Sequence, residues 1–135
     1  MTYLRADGTG KAGFDNPEFQ LECRGVICGG TIRLAPLDPK RELLIGEGLE
    51  CSLSAMKIFD LPVWSAVSAS VLRRSFDLPL AALRIVIAAD NDDAERLAAA
   101  AAQDRWRGDS AKAHRVVMPR TLGYDFNDVL LRGTQ

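Results

Sequence analysis

Arg84-Ile85-Val86-Ile87-Ala88-Ala89 carries no polar side chain after its first residue, then stops on Asp90-Asn91-Asp92-Asp93. A run this short and continuous is a strand buried on both faces, because a strand with one wet face alternates apolar with polar. Helices must cover both faces, so the segment selects a parallel α/β sheet over a helical bundle or an open antiparallel sheet. The other segments alternate as such a sheet requires. Glu42-Leu43-Leu44-Ile45 is a first strand, cut off by Gly46-Glu47-Gly48. Leu49, Leu53 and Met56 follow at helical spacing, up to a stop near Leu61-Pro62. Residues 63–67 are a second strand, and residues 68–80 a longer connection with one helical turn at 71–74. Residues 93–107 are a helix of strong helix formers, with Gly108 as its stop. His114-Arg115-Val116-Val117-Met118 is a fourth strand ended by Pro119, and residues 125–132 close the chain with a short helix. The fold class is therefore α/β: a parallel four-stranded sheet flanked by helices.

The beginning of the chain differs. Residues 2–5 alternate and Asp7-Gly8 is a turn signal, so a hairpin is expected there; Thr31-Ile32-Arg33-Leu34 is a short strand. Ala35 to Pro39 holds two prolines and reads as a linker. The expected organisation is an N-terminal β segment with linker over 1–39 and an α/β domain over 40–135. The length of 135 residues allows one compact domain of this kind. No apolar run approaches the ~20 residues of a membrane helix, and the polar start from Met1 to Lys11 has no secretory pattern. With three cysteines at irregular spacing and a single histidine, a zinc site is a poor reading. Reduced thiols in a cytoplasmic protein, with no membrane partner, are the expectation.

Carboxylates gather in the middle of the chain. Residues 42–95 hold nine acidic and four basic side chains, whereas residues 96–135 hold four acidic and seven basic. The formal net charge of −1 excludes a polybasic mode of nucleic-acid binding. Sites in open parallel sheets lie beyond the carboxyl ends of the strands. Glu47 follows the first strand, Asp90 and Asp92 follow the third, and Asp125 and Asp128 follow the fourth. Singly, each has a structural explanation: Glu47 favours a helix start, and Asp90, Asp92 and Asp125 cap helices. Together they crowd one sheet edge, which is unfavourable unless a cation neutralises them. Mg²⁺ takes such hard oxygen ligands, usually with water and substrate phosphate completing its shell.

These residues resemble the Toprim family, the metal-binding catalytic domain of bacterial-type primases, type IA and type II topoisomerases and some nucleases. The resemblance is nearest to primase-like proteins of phages and plasmids. It is carried by Leu44-Ile45-Gly46-Glu47-Gly48-Leu49-Glu50, by Ile87-Ala88-Ala89-Asp90-Asn91-Asp92 and by Tyr124-Asp125-Phe126-Asn127-Asp128. The stretches from Tyr3 to Ala12 and from Gly29 to Leu34 also look like the segment preceding Toprim in those proteins. The resemblance implies a Rossmann-like sheet and a Mg²⁺- or Mn²⁺-dependent domain acting on nucleic-acid phosphodiesters, the catalytic part of a DNA primase-like protein. It implies Glu47 as general acid/base or metal ligand, Asp90 and Asp92 as Mg²⁺ ligands and catalytic residues, Asp125 at a second metal position and Asp128 as an additional acid. Nucleic acid and nucleotides are the implied partners, with a helicase or zinc-binding domain in a larger protein. Two positions depart from the pattern: Cys51 stands where Thr is common, and Tyr124 where Lys is expected.

Two other readings stand beside this one, a Toprim nuclease and a non-catalytic nucleic-acid or partner-binding module of a mobile-element protein. An unrelated Asp-x-Asp phosphatase needs an Asp nucleophile after the first strand, which Gly46-Glu47 does not supply. Arg73, Arg74, Arg115 and Arg120 are candidate contacts to a nucleic-acid backbone.

Overall fold

The computed structural model describes residue 7 and residues 30–74, 76–107 and 113–133. Apart from Asp7, which lies in a turn, the expected N-terminal hairpin is outside the described residues, as are Cys23, Cys28 and Gly108. The elements in chain order are β1 (Ile32–Arg33), β2 (Leu43–Gly46), α1 (Leu49–Phe59), β3 (Val63–Ser65), α2 (Ala69–Arg74), β4 (Arg84–Ala88), α3 (Asp93–Trp106), β5 (Ala113–Val117) and α4 (Phe126–Arg132). The sheet runs β1-β3-β2-β4-β5. The four strands from β2 onward are mutually parallel, as the alternation of strand and helix predicts. The sheet is larger than the four strands expected, because β1 pairs antiparallel with β3 and makes it mixed and five-stranded. A two-residue strand beyond a proline-bearing segment is a weak sequence signal. Its place on the sheet is fixed by backbone bonds such as Leu34 N–H to the Val63 carbonyl (3.1 Å).

Period-two alternation divides the sheet's side chains between two cores. Leu43, Ile45, Ile85 and Ile87 face α2 and α3, where they meet Leu72, Phe76, Ala99, Ala102 and Trp106. Leu44, Val63, Val86 and Ala88 face α1 and α4, where they meet Cys51, Ala55 and Phe126. Aromatic edges close each layer: Phe76 against Trp106 at 6.0 Å and Phe59 against Phe126 at 5.3 Å between ring centroids. Ala98, Ala99 and Ala102 give α3 a narrow buried face, and the helix packs closely against α2. The second strand ends at Ser65, short of the expected Val67, because Val67 takes φ +71°, outside the β region.

The strands end in register. Gly46 pairs with Ser65 on one side and Ala88 on the other, and Ala88 pairs with Val117. Glu47 and Asp90 therefore leave adjacent strands one and two residues beyond a common row. The row demands a glycine: a Cβ on Gly46 would lie 2.3 Å from Ser52 Oγ and 3.2 Å from the Ser52 backbone, so α1 starts hard against the strand end. Gly46→Ala should cost about 1–3 kcal/mol through overpacking, read as a lowered thermal midpoint. Ser52 Oγ is buried without a hydrogen-bond partner among the described residues. Adding Ser52→Ala to Gly46→Ala should therefore recover part of the loss. An unchanged midpoint in Gly46→Ala would contradict this packing.

Candidate metal centre

Glu47 sits in the turn between β2 and α1. Its main chain is held by the buried Ser65, whose Oγ–H donates to the Glu47 carbonyl (2.7 Å) while accepting from Val67 N–H (3.2 Å). Ala66 N–H reaches across to the Gly46 carbonyl at 2.8 Å. The strained Val67 is thus part of the frame that fixes the Glu47 backbone. The Glu47 carboxylate accepts from the backbone N–H of Ala69 at the start of α2. Its Oε2 is buried and has no hydrogen-bond partner among the described residues.

The turn after β4 carries the two aspartates and is pinned by the residue between them. Asn91 is 7% exposed. Its Nδ2 donates to the carbonyls of Pro119 (3.0 Å) and Arg120 (3.3 Å). Its backbone N–H donates to the Tyr124 carbonyl (3.0 Å), and its carbonyl accepts from Gly123 N–H (2.8 Å). Asn91 thereby ties the loop of Asp90 and Asp92 to the loop that delivers Asp125. Asp90 accepts a hydrogen bond on Oδ1 from the Cys51 thiol (3.1 Å), contributed by α1 from the neighbouring strand turn. Asp92 is the N-cap of α3 and accepts from Glu95 N–H (2.8 Å). Asp125 is the N-cap of α4 in a capping box with Asp128: its Oδ1 accepts from Asp128 N–H at 2.6 Å, and Asp128 Oδ2 accepts from Asp125 N–H at 3.5 Å.

The electrostatics tie these groups into one cluster. Burial raises the Glu47 carboxyl above the ordinary range, and the charges of Asp90 and Asp92 add to the rise against the Ala69 hydrogen bond. Burial also raises Asp90; Asp125, Asp92 and Asp128 push it further, and only the Cys51 thiol opposes them. Burial and the nearby Asp90 and Asp125 charges drive the Cys51 thiol far above its usual value, so it stays protonated and acts as a donor. Asp90 is thus the group on which the charges of Asp92, Asp125 and Asp128 act, while Glu47 is acted on by Asp90 and Asp92.

The sequence model of the Toprim domain family matches residues 42–135. This chain belongs to the Toprim domain family. Among solved structures the chain is similar to a DNA primase domain from Pseudomonas aeruginosa, with a TM-score of 0.51 and 19% identity. That match covers 68% of this chain and 29% of the primase-domain chain. No curated protein sequence matches it.

Among the described residues of this Toprim domain, no three His, Cys, Asp or Glu side chains stand together closely enough to hold one ion. Acids without a counter-charge repel, and a splayed set is the arrangement that repulsion favours. The donor chemistry nevertheless suits a hard divalent cation. Glu47 Oε2 is a buried oxygen without a partner. The cap bonds of Asp92 and Asp125 and the thiol bond of Asp90 are each made on Oδ1, and among the described residues no hydrogen bond occupies their Oδ2. Capping and metal binding are therefore compatible roles for the same aspartate.

The candidate arginines separate. Arg115 donates to both carboxylate oxygens of Glu42, from Nε at 3.2 Å and Nη2 at 2.8 Å. Glu42 precedes β2, so Arg115 is engaged at the opposite edge of the sheet from the acids. Arg73 and Arg74 end α2, whose start, not its end, touches Glu47. Arg120 is exposed and stands directly beside Asn91. Sequence reasoning passed over Cys51 as a donor to Asp90, Asn91 as the strut between loops, and Ser65 as the anchor of Glu47. The Asn within Asp-x-Asp and the Ser ending the second strand were the available signals, but the carbonyls their side chains donate to lie 18 to 29 residues away and only the fold brings them together.

Proposed function

We propose that this Toprim domain is the catalytic part of a DNA primase-like protein and forms or cleaves nucleic-acid phosphodiesters with Mg²⁺ or Mn²⁺. The observation that carries the reading is the buried Oε2 of Glu47, unpartnered among the described residues, and the nearby Asp90, two carboxyls that burial and neighbouring acidic charge both raise. A fold retains such an unfavourable pair where a ligand offsets it. Toprim domains in general bind divalent metal, and the chain's own candidates for that role are Glu47, Asp90, Asp92 and Asp125, with Asp128 beside them. The ion, when bound, would polarise phosphoryl oxygens and neutralise developing charge.

The remaining chemistry falls to the protein. Glu47, with its carboxyl raised above the ordinary range, is suited to take a proton from an attacking hydroxyl or return one to a leaving oxygen. Cys51 fixes one oxygen of Asp90 and so orients the other. Asn91 sets the spacing between the Asp90 and Asp125 loops. Synthesis and cleavage share this arrangement, because both are displacements at a phosphodiester phosphorus, and the bound partner decides between them.

The test is template-directed oligonucleotide synthesis and plasmid nicking on one preparation of the full chain, with Mn²⁺ against EDTA. Turnover that requires the metal supports the proposal. Absence of both activities, with Mn²⁺ leaving the thermal midpoint unmoved, overturns it.

A further inference from the structure

Asn91 holds the guanidinium of Arg96 and the backbone of Arg120 as well as tying two loops together. Its Oδ1 accepts a hydrogen bond from Arg96 Nη2, and its Nδ2 donates to the carbonyl of Arg120 (3.3 Å). Arg96 rises from the first turn of α3, where its backbone N–H bonds the Asp92 carbonyl at 3.1 Å. Its base is therefore one helical turn from the Asp-x-Asp carboxylates. The guanidinium is held but not consumed. Asn91 Oδ1 is a neutral partner, and the second partner, Asp93 Oδ1 at 3.3 Å, belongs to a side chain 94% exposed while that of Arg96 is 44% exposed. An exposed pair of this kind contributes little and exchanges readily for a better anion. The exposed Arg120 makes no hydrogen bond or ion pair through its side chain.

We propose that Arg96, whose guanidinium Asn91 holds, and Arg120, whose backbone Asn91 holds, form a clamp for phosphate groups on the β5 side of the acidic edge. The proposal rests on the reading above, and it supplies what that site lacks: cations to meet an anionic substrate that five carboxylates would otherwise repel. The strand order gives it a direction. Glu47 leaves β2, Asp90 leaves the adjacent β4, and Arg120 follows β5 beyond it. A phosphate held by the clamp would lie beside Asp90 and Asp92, with Glu47 on the far side of them. Guanidinium forks bind phosphoryl oxygens bidentately, and Arg96 is already oriented by its Asn91 bond. The ligand chemistry is a phosphate group, either of a nucleic-acid backbone or of a nucleotide's polyphosphate.

The experiment measures fluorescence anisotropy of a short fluorescein-labelled oligothymidylate in EDTA, so that no metal contributes, with inorganic tripolyphosphate as competitor. Arg96→Ala and Arg120→Ala should each weaken oligonucleotide binding about tenfold, the scale of one charge-assisted contact. Each should also lower the salt slope by about 0.7, the value for one phosphate contact on a single strand. Arg96→Lys should recover only part of the loss, because an ammonium keeps the charge without the fork. Arg107→Ala removes an equal charge at the far end of α3 and should change neither quantity. A loss confined to tripolyphosphate competition assigns the clamp to nucleotides, and a loss in oligonucleotide binding assigns it to backbone. The clamp is overturned if the folded double variant binds both probes like the wild type, if the wild type binds neither, or if Arg107→Ala weakens binding equally. Because these measurements omit metal, failure of the metal-dependent reading is seen separately, in the Mn²⁺ assays.

Discussion

Asp90→Asn removes metal-dependent turnover, by at least roughly a hundredfold on the scale of losing one preorganised electrostatic partner, and leaves the fold intact. Asp90 is the group that most of the cluster converges on: Asp92, Asp125 and Asp128 all act on its carboxyl, and its own charge acts on Glu47 and Cys51. Asn keeps the volume and the acceptor oxygen that the Cys51 thiol donates to, so the contact at 3.1 Å survives. What disappears is one negative charge from a crowded edge. Without metal, the variant should melt at or above the wild-type temperature, because repulsion among the remaining acids is relieved. With Mn²⁺, the midpoint shift seen in the wild type should shrink or vanish. Circular dichroism melts with and without metal, beside the synthesis and nicking assays, read all three quantities. Turnover unchanged in Asp90→Asn would remove this carboxylate from the site and the assignment with it.

The strands and their order of acids are legible in the sequence because they depend on local pattern. The apolar run before Asp90 reads as a doubly buried strand, and the positions of Glu47, Asp90 and Asp125 after the first, third and fourth strands of the α/β unit follow from counting. What is not legible depends on register between segments far apart. Asn91 reads as filler between two aspartates until the fold brings Pro119, Arg120 and Tyr124 against it. Arg115 reads as a free cation at the basic end of the chain, yet β5 carries it to Glu42, 73 residues away in sequence. Cys51 reads in the sequence only as a departure from the resembled pattern, yet the fold makes its thiol a hydrogen-bond donor to Asp90. The strain at Val67 has no sequence signal, since a β-branched residue is a poor candidate for positive φ and is held there by Ser65 and the turn around it.

The metal-free domain loses stability as the pH rises through the folded pKa values of Glu47 and Asp90, and Mn²⁺ reverses that loss. Both carboxyls are raised in the folded chain, by burial first and then by neighbouring charge. Between the ordinary carboxylate range and their folded values, the folded state therefore holds protons that the unfolded state has released. Stability falls with pH wherever the folded state binds more protons, so this contribution is complete below the ordinary carboxylate range and gone above the folded values. Glu42 works in the opposite direction: its hydrogen bond from Arg115 holds its carboxyl down, so its contribution is lost only as the pH falls below the ordinary range. The two windows are separate, with the limb from Glu42 below the ordinary carboxylate range and the limb from the cluster above it. A divalent cation binds the ionised acids of the native state alone, adding about 2.7 kcal/mol at a hundred times its dissociation constant. For a domain of this length that is on the order of 8 °C in thermal midpoint. The shift should be largest at neutral pH and fade toward the ordinary carboxylate range, where protons compete for the same oxygens. Melts across pH with Mn²⁺ and with EDTA give both curves. A metal-induced shift that stays constant as the acids protonate would place the ion elsewhere on the chain, away from Glu47 and Asp90.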